Sequence, residues 1–479
     1  MRLLVLLLLV WQALGEVNKP RPVPPVILVP GDGGSQMEAK LDKPAVVHYV
    51  CAKKTDSWFD LWLNMESLIP GFIDCWIDNM RLVYDNTTRT TKNSPGVMTR
   101  VPGFGSTSTV EWLDPSHHYP TSYFYDVVEA MVTGSLGYVR DFTVRGAPYD
   151  FRKAPMMTVT KRGKWTHSLG IHMATDEQQN YFKALKHMTE SMYNAVGYRV
   201  VYLLHSMGGP MIWYFLANQP QSWKDKYVEG VISMAGAWGG SVKAVKVYTA
   251  GDNLGIYLIN PRSIREEQRS ATSLAFLLPS PDLWKEDEVL VQTPKKNYTT
   301  SNFKDLFEAL NLPDAYDMYL DTKNLLKDAP PPGVDLYCLY GHGIYTVDKL
   351  VYQEGNFPDK PELSYGDGDG TVNLRSAKVC ESFASKQRRK VHAKAFPVME
   401  HMAILKDVDS ILYVLETLTN ITEKNEEAAA KALAEEREKN MVEYNLFHTL
   451  YKKKKFKRND ISSVSFWKVL NSNTMPEVL

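Results

Sequence analysis

The chain carries no excess charge of either sign: 55 Lys and Arg balance 55 Asp and Glu over 479 residues. No global field draws it to a polyanion, which weighs against a nucleic-acid partner. Cysteine is scarce. The four, at 51, 75, 338 and 380, show none of the paired spacings of a zinc site, so no metal is expected and no cofactor is called for. Beyond the first residues no apolar run approaches the length of a bilayer span. Glycine (29) and proline (27) are ordinary, which excludes a collagenous or low-complexity chain.

What is present begins with Met1-Arg2, an apolar run from Leu3 to Trp11, and Ala13-Leu14-Gly15. A positive end, a short apolar stretch and small residues before a cut predict a secretory signal peptide over 1–15. A retained anchor is the alternative, and the run is short for it. Sequons at Asn86, Asn297 and Asn420 agree with that route. In an oxidising compartment the four cysteines can form two disulfides, and proximity favours Cys51–Cys75 and Cys338–Cys380.

The chemistry centres on Val200 to Leu216. An apolar run rich in β-branched and aromatic residues leads into His205-Ser206-Met207-Gly208-Gly209, and then into a helix-like apolar segment. Strand, tight turn with serine at its apex, glycine and helix is the order of a nucleophile elbow. Leu204 stands where that motif usually has its first glycine, and predicts crowding. A plain strand–turn–helix with a serine N-cap is the competing reading. Upstream, Val26-Ile-Leu-Val-Pro-Gly-Asp32-Gly-Gly is a short strand with a glycine turn, placed to supply an oxyanion amide, the second coming from Met207. Downstream, Gly366-Asp-Gly-Asp369-Gly-Thr-Val reads as a calcium loop or as the acid of a triad; an EF-hand is excluded because Lys378 occupies the twelfth position. Ala395 to His401 is a strand running into a histidine. Ser206, Asp369 and His401 thus follow the chain order Ser–Asp–His of α/β-hydrolases, in which histidine takes the serine proton and the carboxylate fixes its tautomer.

Other segments carry less. The stretch from Cys51 to Cys75 packs Trp58, Leu61, Trp62, Leu63, Leu68, Phe72 and further apolar residues into one loop. It is either a core element under the loop or a platform that dips into a lipid interface. Residues 80–165 look like insertions around short strands, and 238–300, without a clear period, suit a lid. Glu423 to Asn440 is a solvated helix by its Glu–Lys spacing, and Tyr451-Lys-Lys-Lys-Lys-Phe-Lys-Arg458 is a charged tail or an attraction to anionic lipid.

With these sites placed, the chain resembles the lecithin–cholesterol acyltransferase family, and within it the lysosomal phospholipase A branch. The resemblance rests on Val26-Ile-Leu-Val-Pro-Gly-Asp, Asp74-Cys-Trp-Ile-Asp-Asn, Val101-Pro-Gly-Phe-Gly, Gly146-Ala-Pro-Tyr-Asp, His205-Ser-Met-Gly, Gly366-Asp-Gly-Asp-Gly-Thr-Val-Asn and Glu400-His401, and runs from about 24 to 420. It implies an α/β-hydrolase fold with an inserted lid and a disulfide-closed membrane-binding loop, over 16–422, followed by a charged extension at 423–479. It selects Asp369 over Asp367, makes Ser206 the nucleophile, and gives the oxyanion amides to Asp32 and Met207. Asp32 stands where the secreted branch carries cysteine. The membrane contacts would be Trp58, Leu61, Trp62 and Leu63. Both disulfide pairings match the family's pattern. Ser35, Leu204 and the missing proline before Trp238 depart from it.

The implied function is cleavage of a glycerophospholipid acyl ester through an acyl-serine, with water or a lipid alcohol as acceptor, at a phospholipid membrane surface and in the lysosome. A secreted sterol acyltransferase and a silent lipid-transfer protein are the alternatives. If the Asp32 carboxylate opposes the developing oxyanion, activity should favour acid.

Overall fold

The computed structural model describes residues 23–155, 176–256 and 259–455. The leader expected at 1–15 and the end of the basic run, 456–458, lie outside them. Contacts divide the chain into two units, Met1–Asn420 and Ile421–Leu479.

In the first unit the short apolar runs become one parallel sheet. Its strands are β1 (Val26–Val29), β2 (Val144–Gly146), β3 (Val200–His205), β4 (Val228–Met234), β5 (Asp335–His342) and β6 (Val391–Pro397), in the order β6-β5-β4-β3-β1-β2. Every neighbour pair is parallel. Parallel neighbours need crossovers, and helices α1 (Asp176–Val196) and α2 (Gly208–Ala217) enter and leave β3. Packing on both faces explains why β1, β3 and β4 are buried at every position and read as continuous rather than alternating apolar runs. β6, at the sheet edge, is largely exposed. This is the α/β-hydrolase arrangement, with the nucleophile strand in the middle of the sheet.

A three-stranded antiparallel sheet joins Phe59–Trp62, Met37–Leu41 and Val97–Arg100, and helix Ile73–Met80 packs beside it. Here the expected lipid contacts need correction. Leu61, Trp62 and Leu63 are buried at 2, 7 and 6% exposure; Trp62 pairs with Met37 and packs its ring against Trp76 and Phe151. The Trp76 indole donates to Leu61 O at 3.0 Å and the Trp62 indole to Gly33 O at 2.7 Å. Trp58 is half-buried beneath the Arg100 guanidinium, 4.5 Å from the ring centre. The large apolar side chains this region does expose are Val47, Tyr49, Val50, Ile69 and Phe72.

The 238–300 segment is not one flap. Helices α3 (Val242–Ala250) and α4 (Pro261–Gln268) are followed by Thr272–Phe276. Val242, Tyr248, Leu274 and Trp284 are buried in a second core with Phe303 and Phe307. Apolar residues here are spread over short helices at irregular spacing, which is why no period was visible. Cys51 pairs with Cys75 and Cys338 with Cys380, at Cα separations of 5.3 and 6.0 Å. Asn86, Asn297 and Asn420 are all exposed.

Helix α5 (Val408–Lys455) continues into the second unit, where every position from 427 to 443 is exposed. Among the described residues no helix is long and apolar enough to cross a membrane.

Candidate active site

Ser206 follows the last residue of β3 and holds φ at 54°, a left-handed conformation that a non-glycine residue adopts only under constraint from its surroundings. The constraint is visible. Ser206 N donates to Met234 O (3.2 Å), Ala237 N donates to Ser206 O (3.1 Å), and the buried strand behind cannot shift. Gly208 allows α2 to pass the end of β1: a Cβ there would lie 2.7 Å from Val29 O and 3.0 Å from Pro30 O. Leu204 is fully buried within the main core, behind the elbow. Ser35, the second departure, is buried and its hydroxyl accepts from Tyr149 N at 3.1 Å. Trp238, the third, is buried against Trp213 and Phe383.

The loop after β6 and the turn after strand Glu362–Gly368, which pairs antiparallel with Ile344–Val351, complete the line. His401 Nε2 lies 2.9 Å from Ser206 Oγ, and His401 Nδ1 lies 2.8 Å from Asp369 Oδ2. The other Asp369 oxygen accepts from the Val372 and Thr371 amides at 2.7 and 3.0 Å. Burial alone would raise this carboxyl; the His401 charge and hydrogen bond, with the two amides, outweigh it and hold it below the usual carboxylate range. Asp367 is exposed, and its carboxylate accepts from Gly343 N instead. The aspartate turn therefore serves the triad.

The turn after β1 lies against the elbow. A Cβ at Gly31 would come within 2.6 Å of Ser206 Cβ. The Met207 amide opens α2, where helix N–H groups lack internal partners. Among the described residues neither this amide nor that of Asp32 donates to a protein acceptor, leaving both available to an oxyanion. Asp32 is partly open to solvent, yet enough protein surrounds its carboxyl for lost hydration to push it up to about 6, against the pull of Lys243.

Two residues at the site had no sequence-based role. His205 is buried; its Nε2 lies 2.9 Å from His401 O and its Nδ1 2.6 Å from Tyr123 Oη. Tyr123 Oη in turn accepts from Gly31 N at 2.9 Å. His205 was visible as the neighbour of Ser206, whereas Tyr123, 82 positions away, carried no signal.

A strained serine at a strand-to-helix turn, with its base on the loop after the edge strand β6 and its acid on the turn after strand Glu362–Gly368, defines a serine acyl-transfer enzyme of the α/β-hydrolase class. The lecithin:cholesterol acyltransferase family matches residues 58–408, and the chain belongs to that family. It is 47% identical over 396 residues to the lysosomal phospholipase A and acyltransferase of Rattus norvegicus, covering 82% of this chain and 90% of the relative. The protein of the same name from Homo sapiens is 46% identical over the same shares. The phosphatidylcholine-sterol acyltransferase of Gallus gallus is 44% identical over 389 residues, 81% of this chain and 88% of that one.

Proposed function

We propose that this protein is a serine phospholipase A and O-acyltransferase of the secretory pathway, working in the lysosome at a phospholipid surface. The observation that carries the reading is the Ser206–His401–Asp369 line, at 2.9 and 2.8 Å. Ser206 Oγ attacks the ester carbonyl as His401 Nε2 takes its proton. The Asp32 and Met207 amides donate to the oxyanion, and Asp369 stabilises the imidazolium. Collapse expels the lysophospholipid oxygen, which takes the proton from His401, and leaves acyl-Ser206. Water or a lipid alcohol such as N-acylsphingosine then gives its proton to His401 and receives the acyl group, restoring Ser206.

Asp32 supports the lysosomal over the sterol-transferring branch, since its carboxyl is tuned to lose charge in acid. Exposed Ile69 and Phe72, within the Cys51–Cys75 loop, offer apolar side chains to a lipid interface.

The test incubates the full chain with anionic phospholipid liposomes containing a ceramide-type alcohol, at acid and neutral pH, beside Ser206→Ala. Fatty acid and acylated alcohol should form at acid pH and fall by about four to six orders of magnitude in the variant. Turnover at neutral pH alone, with sterol as acceptor, would transfer the protein to the sterol branch. Liposome binding without turnover would make it a lipid-transfer protein.

A further inference from the structure

We propose that Tyr123 and His205 are positioning residues, forming a directed hydrogen-bond chain that holds the oxyanion turn, the serine elbow and the catalytic-histidine loop in one register. The chain runs from Gly31 N–H to Tyr123 Oη (2.9 Å), from Tyr123 O–H to His205 Nδ1 (2.6 Å), and from His205 Nε2–H to His401 O (2.9 Å).

Its direction is forced from both ends. A backbone carbonyl can only accept, so His205 Nε2 must carry the proton and Nδ1 must be bare. Tyr123 must then donate to Nδ1, and its oxygen is left to accept the Gly31 amide. No member has a second assignment that satisfies all three bonds. Burial first, and the neighbouring His401 charge second, push His205 down to about 3, so it stays neutral in acid and when His401 becomes an imidazolium. Burial likewise keeps the Tyr123 phenol protonated.

The chain supplies what the triad lacks. The triad joins the turn after β3, the turn after strand Glu362–Gly368 and the loop after β6, but none of its bonds touches the turn after β1, which carries the Asp32 amide. Gly31 immediately precedes Asp32, His205 immediately precedes Ser206, and the last acceptor is the carbonyl of His401 itself. The His401 amide is also held, donating to Asp369 O at 2.9 Å. Oxyanion donors work only when preset at the transition-state position. The Tyr123 hydroxyl therefore sets where the Asp32 amide stands relative to Ser206 Oγ, although it touches no reacting atom.

The inference rests on the serine acyl-transfer reading and not on the lipid class, so the assay uses a soluble short-chain p-nitrophenyl ester. Full-length parent, Tyr123→Phe, His205→Gln and the double variant are compared, with kcat expressed per serine titrated by a fluorophosphonate. Turnover by the parent reads the acyl-transfer function, and the ratio of variant to parent reads the chain. Tyr123→Phe is expected to lower kcat about 10- to 100-fold at unchanged KM. The double variant should fall within twofold of the worse single, because one chain can be broken only once. A kcat per titrated serine within twofold of the parent overturns the proposal, as do single losses that multiply in the double variant. A variant with no titratable serine also overturns it, since the pair would then maintain the fold and not the register.

Discussion

Asp32 places a carboxyl on the residue whose amide we propose as an oxyanion donor, and its pKa of about 6, raised by lost hydration, makes that proximity depend on pH. Above about 6 the side chain is an anion beside a developing anion; below it the side chain is neutral and the opposition disappears. Activity should therefore rise as pH falls through about 6, until protonation of the catalytic base ends it. Asp32→Asn, neutral at every pH, should retain activity further toward neutral. A pH–rate profile of kcat for this variant that superimposes on the parent's would sink the idea. Ser206 shows the same economy of means: its strained φ of 54° is held by two backbone hydrogen bonds and a buried strand, not by the missing glycine at position 204.

Among the elements, the disulfide-closed loop separates two kinds of apolar residue that look alike in sequence. Trp62 is a wall of the oxyanion turn: its indole bonds Gly33 O, and a Cβ on Gly33 would lie 3.2 Å from its ring. Truncating a buried tryptophan costs about 3–5 kcal/mol. Ile69 and Phe72 are 45 and 49% exposed and support no core. Paired Ile69→Asp and Phe72→Asp substitutions are expected to weaken sedimentation with anionic liposomes at least tenfold, while leaving the melting temperature and soluble-ester turnover near the parent's. Undiminished liposome binding would show that the protein meets lipid elsewhere.

For the whole molecule, buried acid groups tilt stability toward low pH. Burial pushes Glu267 from 4.5 up to about 8; the Arg152 charge pulls it down, and neighbouring Asp32 and Asp150 push it up. Between those values the folded chain holds a proton that the unfolded chain releases, so stability falls as pH rises through the window. Asp32 adds the same sign between 3.8 and about 6. His205 opposes them: between about 3 and 6.5 the unfolded chain binds a proton the folded chain refuses, and stability falls with acid. Melting temperature is expected to decline between about pH 5 and pH 8, and Glu267→Gln should flatten that decline. An unchanged slope in the variant would remove Glu267 from the account.

Much of this was legible in the residues themselves. Strands buried on both faces announce themselves as unbroken apolar runs, and an elbow, a glycine turn, an aspartate turn and a late histidine in the right order locate Ser206, Asp32 and His401, while the family resemblance chooses Asp369 over Asp367. These are local patterns, and local steric and hydrogen-bond chemistry is written along the chain. Which face of a segment meets water is not. Trp62 and Phe72 have similar hydrophobicity, and only strand pairing with Met37–Leu41 turns one inward. The short helices at 242–276 spread their apolar residues at irregular spacing, and only packing against Phe303, Phe307 and Tyr319 gathers Val242, Tyr248 and Leu274 into one core. The bond between Tyr123 and His205 spans 82 residues, and no spacing rule reaches that far. The sequence alone determined the sheet, the chemistry and the family; tertiary packing alone decided burial, exposure and the alignment of the catalytic loops, because those depend on contacts between segments that the chain order does not encode.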